Sequence, residues 1–282
     1  MAEPAEAPTA VLTVAAALTE AAARLREAGC ESPRLDAELL LAEVLGVGRE
    51  RLVLDRAAPL SASHALAFGT LVDRRAAREP VAYILGRRAF RYLTLSVDPR
   101  VLVPRPETEL LVEVGLGLPA GSRVADVGTG SGAVALALAS ERPDLSVTGT
   151  DISADALAVA RGNAARLGLP ARFLESDLLA AGAPFDAVLA NLPYVAEGAS
   201  LGPEITRYEP AGALFAGPDG LSLVRRLVAQ IAGAPEVMTL ALEIGAEQAA
   251  AVSELLRAAG FGAVEVRRDL AGLDRVVVGR RA

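Results

Sequence analysis

Lysine and tryptophan are both missing from this 282-residue chain, and cysteine and histidine occur once each. Without lysine there is no amine to act as a nucleophile or form a Schiff base. Cys30 alone cannot close an internal disulfide, and with His64 as the only imidazole the chain has no soft-ligand metal cluster; no metal is expected. All 28 basic residues are therefore Arg, against 35 acids, for a net charge of -7. Gripping a phosphate backbone takes clustered cations, so direct nucleic acid binding is not expected. No stretch reaches the ~20 uninterrupted apolar residues of a membrane span, and residues 1–10 lack the basic start and apolar segment of a signal peptide. These absences predict a cytoplasmic protein with no membrane partner. What is present is ample core, 52% hydrophobic residues with a mean hydropathy of +0.37, enough for about two domains.

Residues 11–29, 33–46 and 61–79 read as helices rich in Ala, Leu, Arg and Glu. Ser32 and Pro33 suit the N-cap and first position of the second, and Gly46 suits its stop. They predict a small all-helical domain over 1–86, its residues, His64 included, serving packing. Over 87–104 the pattern shortens to the extended pieces Ala89–Leu93, Leu95–Val97 and Val101–Val103, a β-hairpin linker. Arg105-Pro106-Glu107-Thr108-Glu109 then opens a helix to about residue 117. From residue 122, strands at 123–127, 146–150, 171–175, 185–190 and 237–244 alternate with helices at 132–141, 153–167, 219–232 and 246–259. Strands at 263–268 and 273–279 close the chain as an antiparallel edge pair. Such alternation predicts an α/β domain over 105–282 with a mostly parallel, doubly wound, seven-stranded sheet.

Ligands of such sheets bind beyond the C-terminal strand ends. The first strand runs into Gly128-Thr129-Gly130-Ser131-Gly132, where backbone can approach a ligand and helix amides favour an anion. Gly128-x-Gly130-x-x-Ala133 also fits a dinucleotide fingerprint, so the loop establishes a nucleoside cofactor without saying which. Asp151 ends the second strand, placed to accept hydrogen bonds from ribose hydroxyls. Asp126 gives the form Asp-x-Gly-x-Gly-x-Gly, typical of S-adenosylmethionine enzymes. Asp177, after the third strand, suits the adenine amino group, a helix N-cap being the plainer alternative. Asn191-Leu192-Pro193-Tyr194 follows the buried run 185–190. A carboxamide nitrogen is a poor nucleophile because its lone pair is delocalised. The Asn191 side-chain oxygen and the Leu192 carbonyl can accept its two N–H groups, Pro193 fixing their angle and Tyr194 packing on the flat group.

The ordered set Pro80–Gly86, Val103–Glu109, Asp126–Ala133, Asn191–Tyr194, Tyr208-Glu209-Pro210 and Gly217–Leu221 covers nearly the whole chain. It resembles the bacterial and organellar release factor glutamine methyltransferases. The resemblance implies a Rossmann-like class I methyltransferase domain behind a helical domain that helps bind the release factor. It implies S-adenosylmethionine as cofactor, and as substrate the glutamine of the Gly-Gly-Gln motif of class 1 peptide chain release factors. Gly128–Gly132, Asp151, Asp177, Leu178 and Asn191 would contact the cofactor, and Asn191–Tyr194 the glutamine. Two positions depart from the family: Leu192 replaces the first proline of Asn-Pro-Pro-Tyr, implying a slightly less rigid loop, and Leu178 stands where an aromatic is frequent. Arg105, Glu107 and Glu109 are candidates to line a cleft, although N-terminal helix charge accounts equally for the two acids. Glu209 is expected to support the loop without reacting, and no general base is evident.

Three rivals remain. A nucleic acid amino-methyltransferase uses a similar loop on base amines, but the acidic pI and lack of a target-recognition insert oppose it. A nicotinamide dehydrogenase leaves Asn191–Tyr194 unexplained. A non-catalytic docking protein predicts cofactor binding without turnover. A monomer is expected, since nothing marks a self-complementary surface.

Overall fold

The computed structural model describes residues 12–179 and 184–281. The signal-peptide expectation concerns residues outside that range. Contacts divide the chain into two units, one running to Leu85 with Pro203–Tyr208 added, the other comprising Gly86–Gly202 and the residues from Glu209 onward.

The first unit is helical: α1 (Val14–Glu27), α2 (Pro33–Leu45), α3 (Arg49–Leu54), α4 (Ala62–Ala76) and α5 (Val81–Leu85). In α1, Val14, Ala17, Leu18, Ala21, Ala22 and Leu25 are buried at helical spacing, making one apolar stripe. That stripe meets Leu40, Leu41, Phe68 and Val72 in a single core. The three anticipated helices are all present, slightly shorter than expected. The six-residue α3 and five-residue α5 were not anticipated, being too short to display a period. Ser32 occupies the N-cap of α2 without a side-chain cap bond, Pro33 opens the helix, and Gly46 stops it with φ 65°. His64 is exposed near the start of α4, where Ser61 caps its N–H at 3.2 Å. Arg75 and Asp36, 6% and 5% exposed, pair at 2.7 Å. The distant segment Pro203–Tyr208 belongs here because Glu204 binds Arg75 at 3.1 Å and Arg78 at 2.6 Å, and the Tyr208 hydroxyl donates to the Ala77 carbonyl at 2.9 Å.

The second unit opens with the antiparallel hairpin β1 (Arg87–Phe90) and β2 (Leu93–Ser96). Val101–Val103 forms no strand; the Val103 N–H goes to the Glu209 carboxylate at 3.3 Å instead of a ladder. After a 3-10 turn at Pro106–Thr108 come α6 (Glu109–Leu116), β3 (Arg123–Val127), α7 (Ala133–Glu141), β4 (Ser146–Asp151), α8 (Ala154–Leu167), β5 (Arg172–Glu175) and β6 (Ala187–Ala190). The chain then passes through α9 (Pro203–Tyr208), the segment placed with the first unit. It continues through α10 (Ser222–Ala232), β7 (Thr239–Glu243), α11 (Ala249–Ala258), β8 (Ala263–Arg268) and β9 (Asp274–Arg280). The sheet order is β5-β4-β3-β6-β7-β9-β8, seven strands as expected, and β9 runs antiparallel to both neighbours. The closing pair is antiparallel, but β9 is inserted beside β7 and only β8 lies at the edge.

Alternation along the strands sorts the two faces. Val124, Ala187, Leu189 and Ala241 point to a layer with α6, α7 and α8. Ala125, Val127, Val188 and Leu242 point to one with α10 and α11. In α10, Val224, Leu227, Val228 and Ile231 are buried, each contributing about 1.5–3 kcal/mol. These layers fix the C-terminal ends of β3, β4 and β6 side by side. Among the described residues no helix is long and apolar enough to cross a membrane.

Candidate active site

At the end of β3 the chain turns through Gly128, Gly130 and Gly132, at φ 74°, 54° and 83°. Gly128 also faces a tight approach: a Cβ there would stand 3.2 Å from Leu192 Cδ2 and 3.4 Å from the Asn191 carbonyl oxygen. Asp126, 2% exposed, takes the Thr129 hydroxyl at 2.6 Å and the Ala135 N–H at 3.1 Å. Burial pushes its carboxyl up to about 6. It braces the loop from beneath. The Asp151 carboxylate accepts the Gly130 N–H at 3.0 Å and the Ser153 N–H at 2.9 Å, tying the ends of β3 and β4 together. Asn163, fully buried on α8, donates to the Ser131 carbonyl at 3.0 Å and holds both backbone groups of Ser96. It therefore anchors the glycine loop to the hairpin.

A cavity of about 510 Å³ lies over this loop, bounded also by Asp151, Leu178 and Asn191. That volume suits a nucleoside-sized ligand, and the walls are mainly apolar with a few polar groups. Thr129 and Ser131 line it, whereas Gly132 sits below as the N-cap of α7. Leu178 forms an aliphatic wall in a left-handed conformation, φ 66°, its carbonyl taking the buried Thr150 hydroxyl at 2.9 Å. Asp177 lines the cavity while pairing with Arg226 at 2.6 Å, both side chains about half exposed. An N-cap role for Asp177 would involve residues 180–183, outside the described residues. The open space, the carboxylate of Asp151 and the glycine turn fit S-adenosylmethionine.

Asn191 follows β6 directly and lines the same cavity. Its Nδ2 donates to Thr108 Oγ1 at 3.1 Å, and Thr108 is 5% exposed, while the Glu243 carboxylate nearby accepts from the Tyr194 hydroxyl at 3.5 Å. Leu192 is 4% exposed and Pro193 lines the cavity. Tyr194 is not among the residues bounding this cavity. With Arg105, Glu107, Glu243 and Arg275 it lines a second one of about 250 Å³. Its carbonyl accepts from Gln248 Nε2 at 3.0 Å, and its phenol is pushed up to about 12, chiefly by burial and then by Glu243. Glu209, 6% exposed, holds Arg105 at 2.5 Å and the Val103 N–H, a supporting contact. Glu109 accepts the Arg91 N–H at 3.1 Å on the hairpin.

Gly128 to Ser131, Asp151, Asp177, Leu178 and Asn191 to Pro193 thus meet around one cavity. Sequence reasoning passed over Thr108, Asn163, Glu243 and Gln248. Glu243 did leave a signal, as the lone acid within the largely apolar run 237–244.

A family model described as PrmC N-terminal domain matches residues 16–86, and one described as Methyltransferase small domain matches 106–207. A protein of Rhodospirillum rubrum named release factor glutamine methyltransferase is 42% identical over 99% of this chain and 88% of its own. One of the same name from Burkholderia pseudomallei is 46% identical over 87% and 91%. One from Deinococcus radiodurans is 43% identical over 94% and 97%. Among solved structures, the hMettl16 catalytic domain in complex with a MAT2A 3'UTR hairpin has a TM-score of 0.57 at 16% identity, covering 75% of this chain and 82% of that one. This last likeness is one of fold.

Proposed function

The chain belongs to the release factor glutamine methyltransferase family, and on that footing we propose how it does the family's work. It transfers a methyl group from S-adenosylmethionine to the side-chain amide nitrogen of the glutamine in the Gly-Gly-Gln motif of class 1 peptide chain release factors. The supporting observation is that Asn191 opens onto the same cavity as the glycine loop and Asp151.

When bound, S-adenosylmethionine supplies an electrophilic methyl group. Asp151 accepts the ribose hydroxyls, Asp177 and Leu178 face the base, and the turn at Gly128–Gly132 gives the ligand room. Asn191 Oδ1 and the Leu192 carbonyl each accept one N–H of the glutamine amide, which fixes its plane and favours pyramidalisation of the nitrogen. Tyr194 borders the glutamine from the side of the second cavity. Residues 1–86 help recognise the release factor, 87–104 link, and 105–282 carry the transfer. We place the protein in the cytoplasm as a monomer without direct nucleic acid contact, a reading its acidic charge supports.

The test offers labelled S-adenosylmethionine with a class 1 release factor, its Gly-Gly-Gln→Gly-Gly-Ala variant, duplex DNA and ribosomal RNA. Label should appear on the first substrate alone. Label confined to nucleic acid would instead establish an amino-methyltransferase of adenine or guanine, and binding without transfer to any of the four a docking protein.

A further inference from the structure

Gln248 stands at the N-cap of α11, and the roles assigned above leave it unused. Its carboxamide bridges three segments, the loop after β6, the turn at Gly217–Leu221 and the loop after β7. Nε2 donates to the Tyr194 carbonyl at 3.0 Å and to the Asp219 carbonyl at 3.2 Å, while Oε1 accepts the Gly245 N–H at 2.9 Å. Two carbonyls on one side and an N–H on the other select a single orientation of the amide, which uses both its donors.

The approach to Tyr194 is close. Gly220, at φ 72°, lies so near that a Cβ there would stand 2.1 Å from the Tyr194 carbonyl oxygen and 2.9 Å from Gln248 Nε2. The turn at Gly217–Leu221 thus closes over the exit of the Asn191–Tyr194 loop. At the entrance, Ala190 is paired with Val127 and Leu242 in the sheet, and the Leu192 side chain is buried.

The exit matters for the direction of the Leu192 carbonyl. Pro193 cannot turn about φ, so the Leu192 and Tyr194 carbonyls are related only through ψ of Pro193 and the two torsions of Tyr194. Holding the Tyr194 carbonyl therefore limits where the Leu192 carbonyl can point. An Asn-Pro-Pro-Tyr loop has a further ring to stiffen it; with Leu192 in that place, the restraint at the exit counts for more.

We infer that Gln248 is a positioning residue which, through the Tyr194 carbonyl, aims the Leu192 carbonyl at the substrate amide. This rests on the reading of Leu192 as an acceptor for the glutamine N–H. Gln248 is not among the residues bounding either cavity, so its effect reaches the reaction through the loop.

The experiment measures kcat and KM for release factor methylation, with S-adenosylmethionine affinity and thermal midpoint, for the unmodified full chain, Gln248→Glu, Gln248→Met and Gly220→Ala. Gln248→Glu keeps the shape of the side chain but turns a carboxylate oxygen toward two carbonyls. Gln248→Met keeps the length without a donor. In both, kcat and kcat/KM should fall together by roughly ten- to a hundredfold, the pattern of an interaction lost in the transition state, with cofactor affinity unchanged. Gly220→Ala, whose methyl must displace the same carbonyl, should reproduce the loss with Gln248 intact. A side chain that only packs would tolerate Gln248→Glu. Unaltered kcat in Gln248→Glu or Gln248→Met, or a loss matched by an equal loss of cofactor affinity, overturns the inference.

A second readout needs no release factor. Hydrogen exchange followed by mass spectrometry should be faster over residues 191–195 in Gln248→Met than in the unmodified protein, with the glycine loop at 128–132 unchanged. Equal exchange over 191–195 overturns the inference. Absence of methylation by the unmodified enzyme would instead count against the substrate reading, leaving this exchange to decide whether Gln248 holds the loop.

Discussion

Leu192 closes directly on Gly128, its Cδ2 only 3.2 Å from where a Cβ on that glycine would stand. The loop proposed to hold the substrate and the glycine loop proposed to hold the cofactor are therefore packed against one another. The resemblance to Asn-Pro-Pro-Tyr enzymes implied a looser loop where Leu192 replaces proline. In the structure Leu192 is 4% exposed and belongs to the core beneath the sheet's second face, so burial restrains the loop where a pyrrolidine ring otherwise would.

Leu192→Ala should accordingly cost about 2–4 kcal/mol of unfolding free energy and weaken cofactor binding as the glycine loop loosens. Urea titration and calorimetry read the two effects. Stability unchanged within 0.5 kcal/mol, an ordinary surface effect, would mean the contact carries no weight.

Asp151 ties Gly130 to Ser153 through separate carboxylate oxygens and faces the cavity. Asp151→Ala removes both backbone contacts and the proposed ribose acceptor together. S-adenosylmethionine affinity should fall on the order of a hundredfold, about 2.7 kcal/mol. An unchanged dissociation constant would place the cofactor elsewhere.

Glu243 and Asp126 have carboxyls raised in the folded state, to about 7 and about 6. Each binds its proton more tightly folded than unfolded. The stability that each contributes is fully present below the ordinary carboxylate range and is lost as pH rises through the folded value. Glu243→Gln never ionises. Its stability relative to the unmodified protein should therefore rise between pH 5 and pH 8, by roughly 3 kcal/mol at most. Denaturant titrations at the two pH values measure this difference, and a gap that fails to widen would show Glu243 ionising as an exposed acid does.

In the helical unit, Asp36→Ala strands the Arg75 guanidinium, leaving Glu204 at 3.1 Å as its remaining carboxylate partner. Breaking a buried pair from one side costs about 3–5 kcal/mol, and the retained Glu204 contact puts the expected loss near the lower figure. Thermal unfolding of the full chain checks it.

Much of the second unit was legible because its signals are local. The strand entering Gly128, the acid ending β4 and the Asn191 loop after β6 each combine a hydrophobic run with a turn of defined chemistry. Thr108 and Glu243 were hidden because their meaning is a contact, with Asn191 for the first and with Tyr194 for the second, that only the folded sheet creates. Tyr194 was legible as a residue but not in its placement, since the turn after Pro193 sends it into a different cavity from Asn191. The hydrophobic pattern of α9 gave no indication of its attachment to the helical unit. That attachment is made by Glu204 and Tyr208 reaching residues more than a hundred positions earlier.

The most direct test of the account is to locate the transferred methyl group by tandem mass spectrometry on a class 1 release factor treated with the unmodified enzyme or with Asn191→Ala. The account predicts one methyl on the side-chain amide of the Gly-Gly-Gln glutamine with the unmodified enzyme. With Asn191→Ala it predicts none, although that variant still binds S-adenosylmethionine. A methyl on any other residue, or equal modification by Asn191→Ala, would contradict it.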